Sequence, residues 1–336
     1  MPDKKYLSAS RIKTLEGCSW LYWCNYHLKV HQESNSGAQR GTIVHLVLEV
    51  LLSPRRKKYV TKLKRAKTIQ AIPSMERLVR KHITEQGLTE EDYVMCDEMI
   101  LVGLNNEFLG KKGAKQIDPE LEFNIKNESP RYNIRGFIDK FIEYKSKLEI
   151  HDYKSSKQKF KGEELDSNIQ AMMYSLVAKK MKPELDALVK FIFLRFPKQP
   201  IQEIQFDEEA LEGFEYYLEH LNKVIDNFSE DNASSNFAAD KNMPKKGFSG
   251  PLLCGFAKKP GQLKKDGTLM WHCPYKFAFD YYEKLDKEGK VIGTSKNKPK
   301  GKFNKKSYSG CPRHRQVKQE DPFDFSCGKD KDPFDF

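Results

Sequence analysis

The chain has 336 residues, 38% of them hydrophobic and 32% charged, and a formal net charge of +12. No apolar run approaches the ~20 residues that span a bilayer, charged residues interrupt any N-terminal apolar stretch of the kind a secretory leader needs, and seven cysteines in such a setting argue against a disulfide framework. The expectation is a soluble, cytoplasmic protein with one large core or two smaller ones, whose excess of base favours a polyanionic partner such as nucleic acid.

Apolar spacing predicts helices over 8–28, 39–52, 73–86 and 89–110. Directly after the second, residues 54–67 carry eight Lys or Arg and no acid, a run placed to meet phosphates. Four strands follow, near 119–126, 133–144, 147–154 and 188–196, with a helix over 166–181 before the last and an edge at 201–206. Glu208 to Phe228 reads as a long amphipathic helix. A small mixed sheet with helices on its faces is an α/β layered core. From about 229 onward Gly, Pro and Lys are abundant, aromatic-rich pieces surround Cys254, Cys273 and Cys311, and the chain reads as a loop-rich module. Residues 287–306 hold eight lysines against one acid, Glu288, a composition suited to a solvated loop. Residues 319–336 contain DPFDF twice, with six acids against two lysines.

Polar residues set into apolar strands carry the chemistry. Asp139 lies in RGFID, and Asp152 and Lys154 lie in LEIHDYK. Side chains alternate along a strand, so Ile150, Asp152 and Lys154 share one face while His151 and Tyr153 point away. The turn Lys145-Ser146-Lys147 makes a hairpin of the two strands and brings Asp139 near Asp152. Two carboxylates and a lysine at one point are what a hydrolytic divalent-metal site on phosphodiesters requires. By itself D-x-K usually marks a solvated strand end. Here it has company in order: His45 upstream on a helix, and Gln170 with Tyr174 downstream, four apart on one helical face.

In this order, His45, then Gly136 with Asp139, Asp152 with Lys154, and Gln170 with Tyr174, the chain resembles the RecB-like branch of the PD-(D/E)xK nucleases. That branch includes the RecB and AddAB nuclease domains and CRISPR-associated exonucleases. The resemblance implies a restriction-endonuclease-like fold over residues 1–228. It implies Mg²⁺ or Mn²⁺ held by His45, Asp139, Asp152 and the backbone carbonyl of Tyr153, with Lys154 orienting the attacking water and Gln170 and Tyr174 beside it. Glu120 and Glu122, on the preceding strand, both qualify as a further acid. Several nucleases of this branch also clamp the N-terminal helix to the C-terminal segment through a 4Fe–4S cluster, and Cys18, Cys254, Cys273 and Cys311 match that distribution. The match departs in spacing, since the last three spread over 58 positions and Phe279 occupies the region where another cysteine is expected. Cys311 or Cys327 would then substitute from later in the chain. Zn²⁺ is the alternative, because His272 abuts Cys273 and His314 follows Cys311 by three. Cys96, on an apolar helix face, reads as a small buried hydrophobe.

The implied activity is a metal-dependent DNA exonuclease acting on DNA with free ends in recombination, repair or replication. It would work in the cytoplasm, or the host cytoplasm if phage-encoded. Two alternatives stay open: a CRISPR-adaptation-type nuclease, and a non-catalytic, nuclease-derived DNA-binding or assembly factor. Residues 229–316 are expected to form a cysteine-containing module closing on the N-terminal helix, and 317–336 a disordered acidic tail. The repeated DPFDF resembles the acidic, phenylalanine-terminated tips of single-stranded-DNA-binding proteins. It suggests docking to such a protein or to another recombination or replication partner, or a mimic of DNA covering the basic channel.

Overall fold

A computed structural model describes residues 6–30, 35–241 and 252–315. Cys327 and both DPFDF segments lie outside the described residues. The chain divides into two compact units, one of residues 1–16 with 33–229, the other of 17–32 with 230–336.

The division explains the first departure from the sequence reading. The expected helix over 8–28 is two helices, α1 Ala9–Gly17 and α2 Ser19–Tyr26, each in its own unit. Gly17 is a poor helix former, and Cys18 is extended, at φ −165°. The amide of Ser19 then donates to Asn236 O at 2.8 Å rather than to the preceding helix.

In the first unit, α3 Ser36–Leu52 starts three residues earlier than its apolar spacing suggested, because Asn35 caps it by accepting from Ala38 N at 2.9 Å. The basic run after it is not all loop. It contains α4 Tyr59–Ala66, which buries Val60 and Leu63 and leaves Lys62, Lys64 and Arg65 in solvent. Helices α5 Pro73–Glu85 and α6 Glu90–Asn105 complete this layer. Val47, Leu48 and Leu51 of α3 pack with Cys96, Ile100 and Leu104 of α6 in one core. Each such aliphatic side chain contributes about 1.5–3 kcal/mol by leaving water. An ion pair from Arg40 to Asp92 ties the start of α3 to the start of α6.

The sheet has strands β1 Gln116–Glu128, β2 Arg131–Glu143, β3 Lys147–Lys154, β4 Asp186–Phe193 and β5 Ile201–Ile204, in that spatial order. β1–β2, β2–β3 and β4–β5 are antiparallel, and β3–β4 is parallel. A parallel neighbour needs a crossover, supplied here by α7 Glu163–Asp166 and α8 Ile169–Met181. Helix α9 Glu208–Asp226 ends the unit. The result is a mixed five-stranded sheet flanked by helices, as expected. Tyr153, Ile192 and Leu194 join the core of α3 and α6.

The second unit is more ordered than a loop-rich reading allows. After the short helices α10 Glu230–Ala233 and α11 Ala238–Lys241 it contains a three-stranded antiparallel sheet, β6 Phe279–Leu285, β7 Val291–Ser295 and β8 Phe303–Tyr308, ordered β7-β6-β8. The lysine-rich stretch therefore holds two strands. Its lysines fall largely on exposed positions, so composition concealed the pairing. Aromatic hydrogen bonds support the core: Trp20 Nε1 donates to Tyr308 OH at 2.7 Å, and Tyr275 OH donates to Val30 O at 2.9 Å.

Candidate active site

The β2–β3 hairpin pairs Lys140 with His151, and continuing that register sets Asp139 opposite Asp152. Both carboxylates are held. Asp139 Oδ2 accepts the Tyr153 amide at 2.7 Å while its Oδ1 lies 3.3 Å from His45 Nδ1 on α3. Asp152 Oδ1 accepts from Gln170 Nε2 at 2.8 Å, and its Oδ2 lies 2.6 Å from Lys154 Nζ. Lys154 also donates to Gln170 Oε1 at 2.6 Å. The Tyr174 hydroxyl accepts from Gln170 at 2.7 Å and lies 2.9 Å from Phe137 O and 3.1 Å from Asp152 Oδ1. Thus α8 presents Gln170 and Tyr174 one turn apart to the same carboxylate. His45, Asp139, Asp152, Lys154, Gln170, Tyr174 and the Tyr153 backbone all meet at one place.

Burial raises the pKa of Asp152, and the nearby Asp139 charge adds to this against the opposing pull of Lys154. Burial works against charge on His45 as well, but the Asp139 carboxylate overrides it and pushes that imidazole up to about 9. Two hard oxygens and an imidazole form a donor set suited to a divalent cation, whose charge would offset the crowding of the two acids.

The family profile of the PD-(D/E)XK nuclease superfamily matches residues 6–254, most of the chain. The chain belongs to that superfamily. No curated protein matches it. Among solved structures it is similar to a provisionally named exonuclease from Eubacterium rectale, at 12% identity over 66% of this chain and 81% of that one, with a TM-score of 0.41. It is also similar to SSO0001, at 16% identity over 57% and 86% with a TM-score of 0.26, and to VC1899 from Vibrio cholerae, at 9% over 64% and 58% with a TM-score of 0.20. Similarities this weak carry no argument about activity.

Around the candidate site lie residues that the sequence left open or missed. Glu120 and Glu122 would share a face in a regular strand, but Glu120 sits at φ +47°, which breaks the alternation. Glu120 lies opposite Asp139, between the pairs Pro119–Lys140 and Leu121–Ile138, and lines a cleft with His45 and Glu49. Burial and then the Asp139 and Glu49 charges raise its pKa. Glu122 instead pairs with Arg135 at 2.8 Å on the surface. Glu49 follows His45 by one helical turn, a spacing that is visible in the sequence. Lys13 of α1 also senses the site: burial lowers its pKa, and the Lys154 charge lowers it further. Lys13 lies 32 residues before His45, the first motif residue, so the sequence carried no signal for it.

A second polar cluster lies behind the catalytic-motif strand. Glu107, Glu149 and His151 place ligand atoms within 4.8 Å of one another, the one such group among the described residues. Lys190 of β4 sits in it, with Nζ 2.7 Å from Glu107 Oε2 and 3.1 Å from Glu149 Oε2. An ammonium already provides there the charge a metal would bring.

The four candidate cysteines all fall in the second unit. Residues 255–272 form an excursion closed by pairing of Gly255 with His272, and Cys273 N donates to Cys254 O at 3.0 Å. Gly255 is required there: at φ +70°, a Cβ would lie 2.3 Å from Trp271 O. Cysteines 19 apart in sequence become neighbours in this way. Burial raises the Cys254 thiol to about 12 and Cys273 to about 11, and each senses Cys18 and Cys311. Burial raises the Cys311 thiol as well, and in both Cys273-Pro274-Tyr275 and Cys311-Pro312-Arg313 the backbone amide two residues on favours the thiolate against that effect. Thiolate is the form that binds metal. His272 Nδ1 lies 3.0 Å from Cys273 O. Cys96 is fully buried in the core of the first unit.

Proposed function

We propose that this nuclease is a metal-dependent DNA exonuclease serving recombination, repair or replication. The supporting observation is the convergence of His45, Asp139 and Asp152 with Lys154 held against Asp152 and Gln170. Asp139, Asp152, His45 and the Tyr153 carbonyl would hold Mg²⁺ or Mn²⁺. A bound divalent cation supplies charge stabilisation to the phosphate and lowers the pKa of the attacking water. Gln170 and Tyr174 fix Asp152 Oδ1, and the Tyr153 amide fixes Asp139 Oδ2, which leaves Asp139 Oδ1 facing His45 and Asp152 Oδ2 facing Lys154. Lys154 brings an ammonium that orients water and offsets phosphate charge. The net charge of +12 favours a nucleic-acid substrate.

The test is degradation of end-labelled linear and closed circular DNA with Mg²⁺, Mn²⁺ or EDTA, comparing wild type with Lys154→Ala. Metal-dependent loss of linear DNA alone, abolished in the variant, supports an exonuclease, and the label position gives its polarity. Intact DNA in every lane, with binding retained, supports the non-catalytic reading.

For the cysteines, a 4Fe–4S cluster on Cys18, Cys254, Cys273 and Cys311 is favoured over Zn²⁺. Tetrahedral zinc at ~2.3 Å from each sulfur needs sulfurs roughly 3.8 Å apart. Among the described residues no three cysteine or histidine ligand atoms approach within 4.8 Å, whereas a cluster holds its thiolates around four irons. Iron, sulfide and zinc analysis of anaerobically purified protein decides between them. Docking of a single-stranded-DNA-binding protein through residues 319–336 is tested by pull-down with and without that segment.

A further inference from the structure

Next to the acidic cluster lies a groove of about 430 Å³, bordered by Tyr6, Phe123, Arg135, Phe137, Met173 and Tyr174. Its most unusual member is Phe137, 46% exposed although it lies only two residues before Asp139. Arg135, Phe137 and Asp139 occupy alternate positions of β2, each about 6.7 Å further along the strand, and the first two border the groove. Tyr6 borders the same row and is held firmly: Leu7 donates to Asn133 O at 2.8 Å and accepts from Arg135 N at 2.9 Å, which docks the segment on β2. The Arg11 guanidinium lies 3.9 Å from the Tyr6 ring centroid and that of Arg135 lies 5.9 Å from it.

A fixed order of carboxylate, exposed ring and guanidinium along one strand has a specific chemical complement. We propose that this row, with Tyr6, is a track for single-stranded DNA entering the nuclease site. The phosphate to be cut lies at Asp139, the adjoining base stacks on Phe137, and the next phosphate meets Arg135. This rests on the reading of the acidic cluster as a DNA-cleaving site. Aromatic faces bind bases of any sequence, but only bases whose own faces are free. Bases of an intact duplex are stacked on each other and cannot lie on Phe137, so the track selects a single strand. Arg135 now pairs with Glu122, both about half exposed, and exposed pairs of this kind are weak enough for a phosphate to displace. The backbone carbonyl of Phe137 receives the Tyr174 hydroxyl, which ties the platform to the residue that also contacts Asp152.

The experiment measures binding of the full-length protein to a labelled oligothymidine and to a blunt duplex by fluorescence anisotropy in EDTA, with cleavage of both in Mg²⁺ or Mn²⁺ alongside. Phe137→Ala is expected to weaken oligothymidine binding roughly fivefold or more, with duplex binding unchanged, and Phe137→Tyr to restore it. One abasic residue, moved along the oligonucleotide, should weaken wild-type binding at a single position and have no effect in Phe137→Ala. Arg135→Ala should reduce the salt slope by about 0.7. Equal affinity of wild type and Phe137→Ala for the single strand, an equal loss on duplex, or no wild-type binding to the single strand overturns the track. Absence of wild-type cleavage counts against the nuclease reading, whereas cleavage with an unaffected Phe137→Ala counts against the track alone.

Discussion

Replacing Lys190 by methionine should destabilise the first unit while leaving its shape intact. Lys190 is fully buried on β4, and its ammonium contacts Glu107 at 2.7 Å, Glu149 at 3.1 Å and Glu203 at 3.3 Å. Glu149 is buried as completely, and burial alone would raise its pKa, yet its hydrogen bonds from His151, Lys147 and Lys190 hold it well below the usual carboxylate range. Methionine fills the volume of the lysine stem but strands part of that charge. Removing one partner of a buried pair costs about 3–5 kcal/mol. Lys147 remains 2.6 Å from Glu149, which places the loss near the lower figure. At 2–4 °C per kcal/mol, a loss of about 3 kcal/mol lowers Tm by roughly 6–12 °C. Circular dichroism melts of wild type, Lys190→Met, Glu149→Gln and the double variant form the assay. Neutralising both partners should recover at least half of the loss, since a neutral pair leaves no stranded charge. A folded-state pKa below the unfolded value gives stability that is present above the unfolded pKa and lost as pH falls. Wild type should therefore lose stability below about pH 4.3, and Lys190→Met should lose less over that range. A single variant melting within 2 °C of wild type would refute the reasoning. So would a wild-type Tm raised by divalent metal through Glu149, which would make this cluster an ion site.

Gly136→Ala should strain the site, because its Cβ would lie 2.6 Å from Phe123 Cζ, and Phe123 packs edge-on against Tyr174. Restoring ordinary contact moves the ring by about 1 Å. Overpacking of about 1–3 kcal/mol should lower Tm by roughly 2–12 °C, and adding Phe123→Leu should recover it in the same melts. Because Asp139 pushes His45 up to about 9 against the effect of burial, metal binding must displace its proton. Mn²⁺ affinity by titration calorimetry should rise about tenfold per pH unit between pH 6.5 and 8.5, and a flat profile would remove His45 as a ligand. His151 is lowered to about 4 by burial, so it is neutral when folded. Its contribution is present above about pH 6.5 and lost as pH falls toward 4, a decline that His151→Phe should reduce in pH-dependent urea melts. Cys273→Ser should lose bound metal on elemental analysis, whereas Cys96→Ser should keep it while melting lower.

Much of the fold was legible because its signals are local. The Lys145-Ser146-Lys147 turn between two apolar strands fixed the β2–β3 hairpin, and strand alternation then put Asp152 with Lys154 and turned His151 away. Gln170 and Tyr174 reached one carboxylate because four residues make one helical turn. Non-local effects were not readable. The helix over 8–28 breaks at Cys18 because Ser19 finds Asn236, more than two hundred residues later. The lysine-rich 287–306 stretch pairs into strands that its composition hid.

Determined by sequence alone were the superfamily's ordered motif, the mixed sheet with helices on its faces, and the candidate ligands His45, Asp139 and Asp152, since each depends on residue type and on spacing within one element. Only the tertiary structure decided between Glu120 and Glu122, through one left-handed backbone position. The same holds for the closure of residues 255–272 that makes neighbours of Cys254 and Cys273, for Lys190 filling the Glu107, Glu149 and His151 cluster, and for the exposure of Phe137 beside Asp139. These depend on which distant segments meet, and chain spacing carries no record of that.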